Sequence, residues 1–136
     1  MILKLIYLHK CWSLKKHRML KYFNYKEFDS PDEPGSGKNM SDELLHMLDA
    51  TRKKYGKPIK INSGYRSEAH NRKVGGTSGS SHLKGLAVDI AYNGSVDRFE
   101  LCNILLEVGF KRIGIGKYFI HVDIDKDKSQ HVMWLY

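Results

Sequence analysis

Two stretches of the chain alternate between apolar residues and polar or small ones with a period of two, which is typical of half-buried strands. On one face, the first stretch carries Leu86, Val88 and Ile90. On its other face it carries Ala87, Asp89 and Ala91. The pattern predicts a strand with one face in the core and a carboxylate, flanked by two small residues, on the floor of a cleft.

The second alternating stretch also separates apolar from chemically active residues. Its apolar face consists of Tyr118, Ile120, Val122 and Ile124. Its other face consists of Phe119, His121 and Asp123. Positions two apart on a strand lie roughly 6.5 to 7 Å apart along the backbone, so we expect the side chains of His121 and Asp123 to be neighbours.

Two further stretches have the pattern of amphipathic helices. The first begins at an N-cap, Ser41, and ends at Gly56 and Pro58; its apolar stripe consists of Leu44, Leu45, Leu48 and Ala50. The second is predicted to begin at Ser95 and to end at Gly109. Its predicted buried side consists of Val96, Phe99, Leu101, Cys102, Leu105 and Val108.

The remaining elements are short strands. Residues 59–63 indicate one strand, and residues 110–118 indicate a strand and tight turn that lead into the His121 strand as a hairpin. Helix, strands, helix and hairpin in this order predict an α+β fold, with a small antiparallel sheet flanked by two main helices.

Length and charge limit the classes of function. A chain of 136 residues is long enough for one domain with a real core. Its formal net charge of +8 favours anionic partners. The basic residues are scattered, however, without a recognisable nucleic-acid module. Because no feature other than charge supports nucleic-acid binding, we do not expect it. The two cysteines, Cys11 and Cys102, do not indicate a disulfide framework.

The N-terminal region differs from the rest of the chain. Residues 1–8 are apolar apart from Lys4, too short a run to span a membrane. They also lack the charged region and cleavage site of a secretory signal. We interpret residues 1–20 as an appendage of uncertain status and residues 21–136 as the domain.

Imidazole and carboxylate groups on the two polar faces point to a metal site. Asp89 lies on the first predicted strand, and His82 precedes it at the end of a loop rich in glycine and serine. Both residue types are good zinc ligands, and a catalytic zinc takes three protein ligands and leaves one position open. His121 on the second strand supplies the third candidate ligand.

At these residues the chain resembles the zinc D-Ala-D-Ala carboxypeptidases, a family that includes phage endolysins and vancomycin-resistance dipeptidases. The shared pattern S-x-H-x-x-G-x-A-x-D, followed by a strand with H-x-D or H-x-H, is met by Ser80, His82, Gly85, Ala87, Asp89, His121 and Asp123. Residues 61–67 and 70–76 resemble the family's preceding segment. The resemblance implies a hedgehog-like fold with a zinc site in a cleft on the sheet.

The resemblance also implies roles for further residues. Arg66 matches the arginine that holds a carboxylate of the peptide substrate, and a guanidinium suits that task because it can donate two parallel hydrogen bonds. Ser80 is expected to bind substrate or to orient a ligand. Trp134 matches a tryptophan near the family's C-terminal end and is expected to pack near the site, and His131 is a weaker candidate ligand.

Asp123 is the candidate general base, and here the chain departs from the pattern of many relatives. They carry the base in E-x-x-H before the last ligand, and the corresponding residue here is Tyr118. Other relatives have H-x-H in place of the H-x-D found here. Asp123 is therefore a base, a ligand or an orienting group.

The resemblance implies a zinc peptidase that hydrolyses peptidoglycan stem peptides at a D-amino-acid bond, as a carboxypeptidase or an endolysin. We expect a monomer without a membrane span, phage-encoded or secreted, that acts on the bacterial wall. The alternative is a non-catalytic, zinc-containing module for wall binding or signalling.

Overall fold

The structure, a computed structural model, describes residues 19–136. In chain order, its elements are α1 (Asp42–Tyr55), β1 (Ile61–Ser63), α2 (Glu68–Lys73), β2 (Ala87–Ala91), α3 (Gly94–Val108), β3 (Arg112–Ile115), β4 (Phe119–Asp123) and β5 (Val132–Leu135). Short 3₁₀ helices span Tyr25–Phe28, Ser36–Asn39 and Ser81–Lys84. The predicted α+β fold is confirmed, and α2 adds a short third helix.

The five strands form one sheet in the order β1-β2-β4-β3-β5. The first four of these pair antiparallel, including the predicted hairpin of β3 and β4. β5 lies at the far edge and runs parallel to β3, so the sheet is mixed. The sequence pattern does not predict β5, because four consecutive apolar residues show no alternation that would indicate a strand or its direction.

One face of the sheet packs against α1 and α3 and forms the core. Val88 and Ile90 of β2 and Ile120 and Val122 of β4 are fully buried there, as the alternation predicts. On α1 the predicted stripe is confirmed at Leu44, Leu45 and Leu48, but Ala50 is exposed. Thr51 is buried in its place, since it follows Leu48 by three residues and Leu44 by seven on the same helical face.

α3 differs from its prediction at its first turns. It begins at Gly94, and its N-cap is Asn93 rather than Ser95. Val96 and Phe99 are 81% and 77% exposed, whereas Leu101 and Leu105 are buried. Phe99 precedes Leu101 by two residues, which is about 200° around a helix, so the two side chains lie on opposite faces. Apolar residues occur all around this helix, and periodicity alone therefore does not identify the buried side.

The described chain joins the domain from its first residues. The amides of Lys21 and Tyr22 donate to the carboxylate of Asp49 on α1 at 2.6 and 3.1 Å. Phe23 and Phe28 are buried in the core and pack edge to face. Residues 1–18, which include Cys11, lie outside the described residues, so the appendage and its boundary at residue 20 stay predictions.

Within residues 19–136, no helix is both long and apolar enough to cross a membrane.

The corrected register of α3 predicts unequal costs for two truncations on the same helix. We expect Phe99→Ala to change the free energy of unfolding by about 0.5 kcal/mol or less, because that side chain is mostly solvated. Leu105→Ala should cost about 2 to 5 kcal/mol, because it leaves a cavity in the core. Urea unfolding of both variants measures the difference, and equal costs would contradict this register.

Candidate metal centre

The sheet register places one residue of each strand in a single row that crosses the sheet. Asp89 on β2 lies opposite Ser63 on β1 and His121 on β4. Gly114 on β3 lies opposite His121 and beside Trp134 on β5. Directly opposed residues have Cβ atoms roughly 4.5 to 5.5 Å apart. Strand pairing alone therefore brings the side chains of Asp89 and His121 into contact on the face away from the core.

His82 reaches the same place from a short 3₁₀ turn, Ser81–Lys84. The turn is capped by Ser80, whose Oγ accepts a hydrogen bond from the His82 amide at 3.3 Å. It ends at Gly85, whose φ is +68° and where a Cβ would lie 2.1 Å from the carbonyl oxygen of Asn39. Only glycine fits both constraints. The serine and the glycine of the sequence pattern thus shape the turn that carries His82.

The His82 ring is oriented by the backbone. Its Nδ1 lies 2.8 Å from the carbonyl oxygen of Gly64, and since a carbonyl only accepts, Nδ1 carries the proton. Nε2 then carries a lone pair that faces the cluster, and this nitrogen lies 3.3 Å from Oδ1 of Asp89. Among the described residues, Nε2 is the one buried side-chain nitrogen or oxygen without a hydrogen-bond partner. A buried acceptor left in this state is costly, so this atom indicates a ligand-binding position.

The three predicted ligands converge on one point. One ligand atom from each of His82, Asp89 and His121 lies within 4.8 Å of the others, and all three residues are buried. Nδ1 of His121 lies 3.0 Å from the same Asp89 oxygen that faces His82. Ligand atoms around a tetrahedral zinc with bonds of 2.0 to 2.1 Å lie roughly 3.3 Å apart. The three candidate ligands thus lie together and the donor set fits a metal ion; that they bind one stays a prediction.

Asp89 is held as an anion by groups on both sides. Its Oδ2 accepts from Nη2 of Arg66 at 3.2 Å, and its Oδ1 faces the two histidines. Burial alone would raise the pKa of Asp89, but the hydrogen bond with His121 and the nearby His82 ring outweigh it and lower the pKa. Arg66 in turn donates to Oγ of Ser63 at 3.0 Å. The carboxylate is therefore ionised and fixed in direction.

Asp123 sits behind His121 rather than in front of it. Its Oδ2 lies 2.8 Å from Nε2 of His121. Its Oδ1 accepts from Nε of Arg112 at 2.6 Å and from the amide of Asp125 at 3.1 Å, and the side chain is 1% exposed. A carboxylate that accepts the second ring N–H of a ligating histidine is the usual orienting group of a metal site. These contacts favour the orienting role, and the roles of base and ligand stay predictions.

His121 lies between two carboxylates, one at each ring nitrogen. Burial alone would lower its pKa, but the hydrogen bonds with Asp123 and Asp89 outweigh it and raise the pKa. In the metal-free protein, the ring is thus protonated to a higher pH than an ordinary histidine. A metal ion at Nδ1 must displace that proton.

A cavity of about 390 Å³ opens in front of the cluster. One wall of the cavity is aromatic and consists of Phe119, Trp134 and Tyr136. The cations that line the cavity are Arg66, Arg112 and Lys128. The ring centroid of Trp134 lies 5.5 Å from that of His121, which confirms that this tryptophan packs near the site. Ser80 also lines the cavity. A second cavity, of about 440 Å³, lies between α3 and β5 and contains none of the cluster residues.

The aromatic wall depends on a glycine. A Cβ on Gly114 would lie 2.7 Å from the rings of both Trp134 and Tyr136. The missing side chain therefore lets these two rings lie over β3 beside His121. Sequence reasoning did not find Tyr136, because its position follows from the unpredicted parallel pairing of β5.

Two other basic residues, Arg112 and His131, have positions that the sequence analysis did not anticipate. Sequence reasoning did not find Arg112, although the predicted hairpin brings it beside Asp123 and thus carried a signal. The guanidinium of Arg112 also lies 5.0 Å from the ring of Trp134. His131, the weaker candidate ligand, is exposed and lines the second cavity, away from the cluster.

The raised pKa of His121 predicts a pH dependence of metal binding. As the pH falls through that pKa, protonated His121 excludes the ion, so the affinity for Zn²⁺ should fall by about tenfold per pH unit for one displaced proton. The decline should begin above about 6.5, the ordinary pKa of histidine. Competition with a chromophoric chelator between about pH 5 and 8 measures it. An affinity independent of pH across this range would contradict the proposed ligand set.

Comparison with known proteins places these residues in a family. Curated proteins include none that matches the chain. The sequence profile described as Peptidase M15 matches residues 21–125, which is more than half of the chain and includes all three candidate ligands. Peptidases of this family depend on a metal, in agreement with the donor set found here. The chain therefore belongs to the peptidase M15 family of the zinc D-Ala-D-Ala carboxypeptidase type, which makes it a metallopeptidase.

Proposed function

We propose that the protein is a zinc-dependent peptidase that hydrolyses peptidoglycan stem peptides at a D-amino-acid bond. The observation that carries the proposal is the unpartnered Nε2 of His82, which converges with Asp89 and His121 at the floor of an open cavity. Three protein ligands beside a cavity are the arrangement of a catalytic zinc rather than a structural one. Both carboxypeptidase and endopeptidase action fit this geometry.

In this proposal, His82, Asp89 and His121 hold the ion. Zinc bound there supplies a water of lowered pKa and polarises the scissile carbonyl. Asp89 contributes a negative charge, and its ion pair with Arg66 directs that carboxylate at the cluster. The backbone of Gly64 keeps the proton of His82 on Nδ1, so Nε2 remains a ligand.

The cavity is suited to a substrate that carries negative charge. Three cations line the cavity against two carboxylates. Two of these cations, Arg66 and Arg112, are each paired with one of the carboxylates. The three nitrogens of Arg66 donate to Ser63, Asn71 and Asp89, which leaves one N–H on each terminal nitrogen for a substrate carboxylate. Ser80 lies on the rim and caps the His82 turn, so it supports the site through that turn as well.

Asp123 has two candidate roles at the proton-transfer step. It is either the general base or only the group that orients His121. Asp123 can accept a proton, yet both of its oxygens already accept hydrogen bonds and its side chain is 1% exposed. Burial alone would raise the pKa of Asp123, but hydrogen bonds from His121 and Arg112 lower it. A lowered pKa suits an orienting anion better than a general base that works near neutral pH.

The burial and full engagement of Asp123 also favour a second candidate function. A module that holds zinc and binds wall peptides without hydrolysis needs the three ligands and the cationic cavity but no general base. Among the residues that line the described cavity, Asp89 and Asp123 are the only carboxylates, and both are engaged. The alternative thus rests on the burial of Asp123.

The chain's wider setting is part of the same proposal. A phage-encoded or secreted lysin that acts as a monomer fits a net charge of +8, because bacterial walls carry carboxylates and phosphates.

Hydrolysis can be tested directly on purified peptidoglycan. We expect the zinc-loaded protein to release amino groups, and we expect chelation or His121→Ala to abolish release because either removes the ion. His131→Ala is the matched control, since this histidine is exposed and lies outside the cluster. Folded, zinc-loaded protein that releases nothing from several wall types would overturn the peptidase in favour of the binding module.

The role of Asp123 can be separated by measuring metal affinity apart from turnover. If Asp123 orients His121, Asp123→Asn should weaken Zn²⁺ binding by roughly 10- to 100-fold, as loss of outer partners does at other sites. If it is the base, the same variant should bind Zn²⁺ as the wild type does and lose kcat. Asp127→Asn, an exposed position four residues further along, is the control.

A further inference from the structure

Asp125 is a buried carboxylate that neither the sequence pattern nor the proposed mechanism uses. It lies just beyond β4, and its side chain is 1% exposed. Its Oδ2 accepts from Oγ of Ser81 at 2.7 Å and from Nζ of Lys84 at 3.1 Å, and its Oδ1 accepts from the amide of Asp127 at 3.2 Å. A buried charge is retained only where such bonds compensate its lost hydration.

These partners are not scattered over the surface. Ser81 and Lys84 are the first and last residues of the 3₁₀ turn that carries His82. On its other side, the amide of Asp125 donates to Oδ1 of Asp123 at 3.1 Å. Asp125 therefore joins the turn with the first ligand to the strand with the last ligand.

The three ligands are not fixed equally well. Asp89 and His121 are placed by strand pairing, as directly opposed residues of β2 and β4. His82 stands on a four-residue 3₁₀ turn, a conformation whose own hydrogen bonds have poor geometry. Its location depends on ties to neighbouring segments, and the Asp125 carboxylate holds the turn at both of its ends.

A metal site is sensitive to such ties. Ligand distances are held to within about 0.2 Å in a well-formed site. A turn free to shift by more than this would present Nε2 of His82 away from Asp89 and His121, which stay in place. The ion would then lose one ligand while the rest of the fold remained intact.

We propose that Asp125 is a positioning residue of the metal centre, which clamps the His82 turn against the end of β4 and thereby sets the affinity for the ion. The inference rests on the proposed function only in that His82, Asp89 and His121 bind a divalent metal. It does not depend on hydrolysis.

The test measures the affinity of the full chain for Zn²⁺ alone, by competition with a chromophoric chelator. Asp125→Asn keeps the shape of the side chain and removes its charge. We expect it to weaken Zn²⁺ binding by roughly 10- to 100-fold, the range found for outer partners of ligands. Asp127→Asn is the matched control, because Asp127 is 88% exposed and pairs with the same Lys84 at 3.5 Å; its affinity should equal that of the wild type.

A second variant covers the possibility that Asp125→Asn is poorly folded. Ser81→Ala removes one hydroxyl of the clamp and leaves the charge in place, so its folding should be preserved. We expect it to weaken Zn²⁺ binding by a smaller factor, and the double variant should bind no more weakly than Asp125→Asn alone, because both changes break the same contact. Absorption of the Co²⁺-loaded variants reports whether the coordination itself has changed.

The outcomes separate this inference from the proposed function. If the wild type does not bind Zn²⁺, both are overturned. If the wild type binds Zn²⁺ but folded Asp125→Asn and Ser81→Ala bind it equally well with unchanged Co²⁺ spectra, only the clamp is overturned. If Zn²⁺ binding depends on Asp125 and no wall peptide is cut, the positioning role stands and the peptidase fails.

Discussion

The contact between Asp89 and His121 is the interaction on which the site depends. It arises from the antiparallel pairing of β2 with β4, and it lies within an alternating series of basic and acidic side chains on the sheet. Arg66 pairs with Asp89, Asp89 with His121, His121 with Asp123 and Asp123 with Arg112. Each inner residue of this series lies between two groups of the opposite type, and each terminal arginine pairs with one carboxylate. These contacts offset the hydration that the groups lose on burial. The series keeps both carboxylates ionised beside an apolar core.

The candidate ligands could be identified from the sequence because two independent signals coincide on them. Alternation with a period of two places Asp89 and His121 on the face opposite the core, and the structure confirms that face. The spaced pattern around Ser80, His82 and Gly85 then identifies the turn. The cores of α1 and of the two central strands follow from the same periodicity, since there the apolar positions lie on one side only.

What sequence reasoning missed has one physical cause, which is that periodicity says nothing about partners distant in the chain. The parallel pairing of β5 with β3 places Tyr136 in the cavity, yet no local pattern specifies it. Apolar residues all around α3 likewise leave its buried side to tertiary packing, so Phe99 faces solvent. Asp125 resembles any charged loop residue until the His82 turn is folded against it.

The row of residues that crosses all five strands also bears on how the sheet finds its register. A slip of β2 against β4 by one residue would turn the side chains of β2 to the opposite face. Asp89 would then lie among the buried side chains of α1 and α3, without its partners Arg66 and His121, at a cost of several kcal/mol for the unpaired charge. The candidate ligand Asp89 thus also penalises the nearest misfolded sheet of this metallopeptidase, and selection for chemistry and selection for a single fold act on the same side chain.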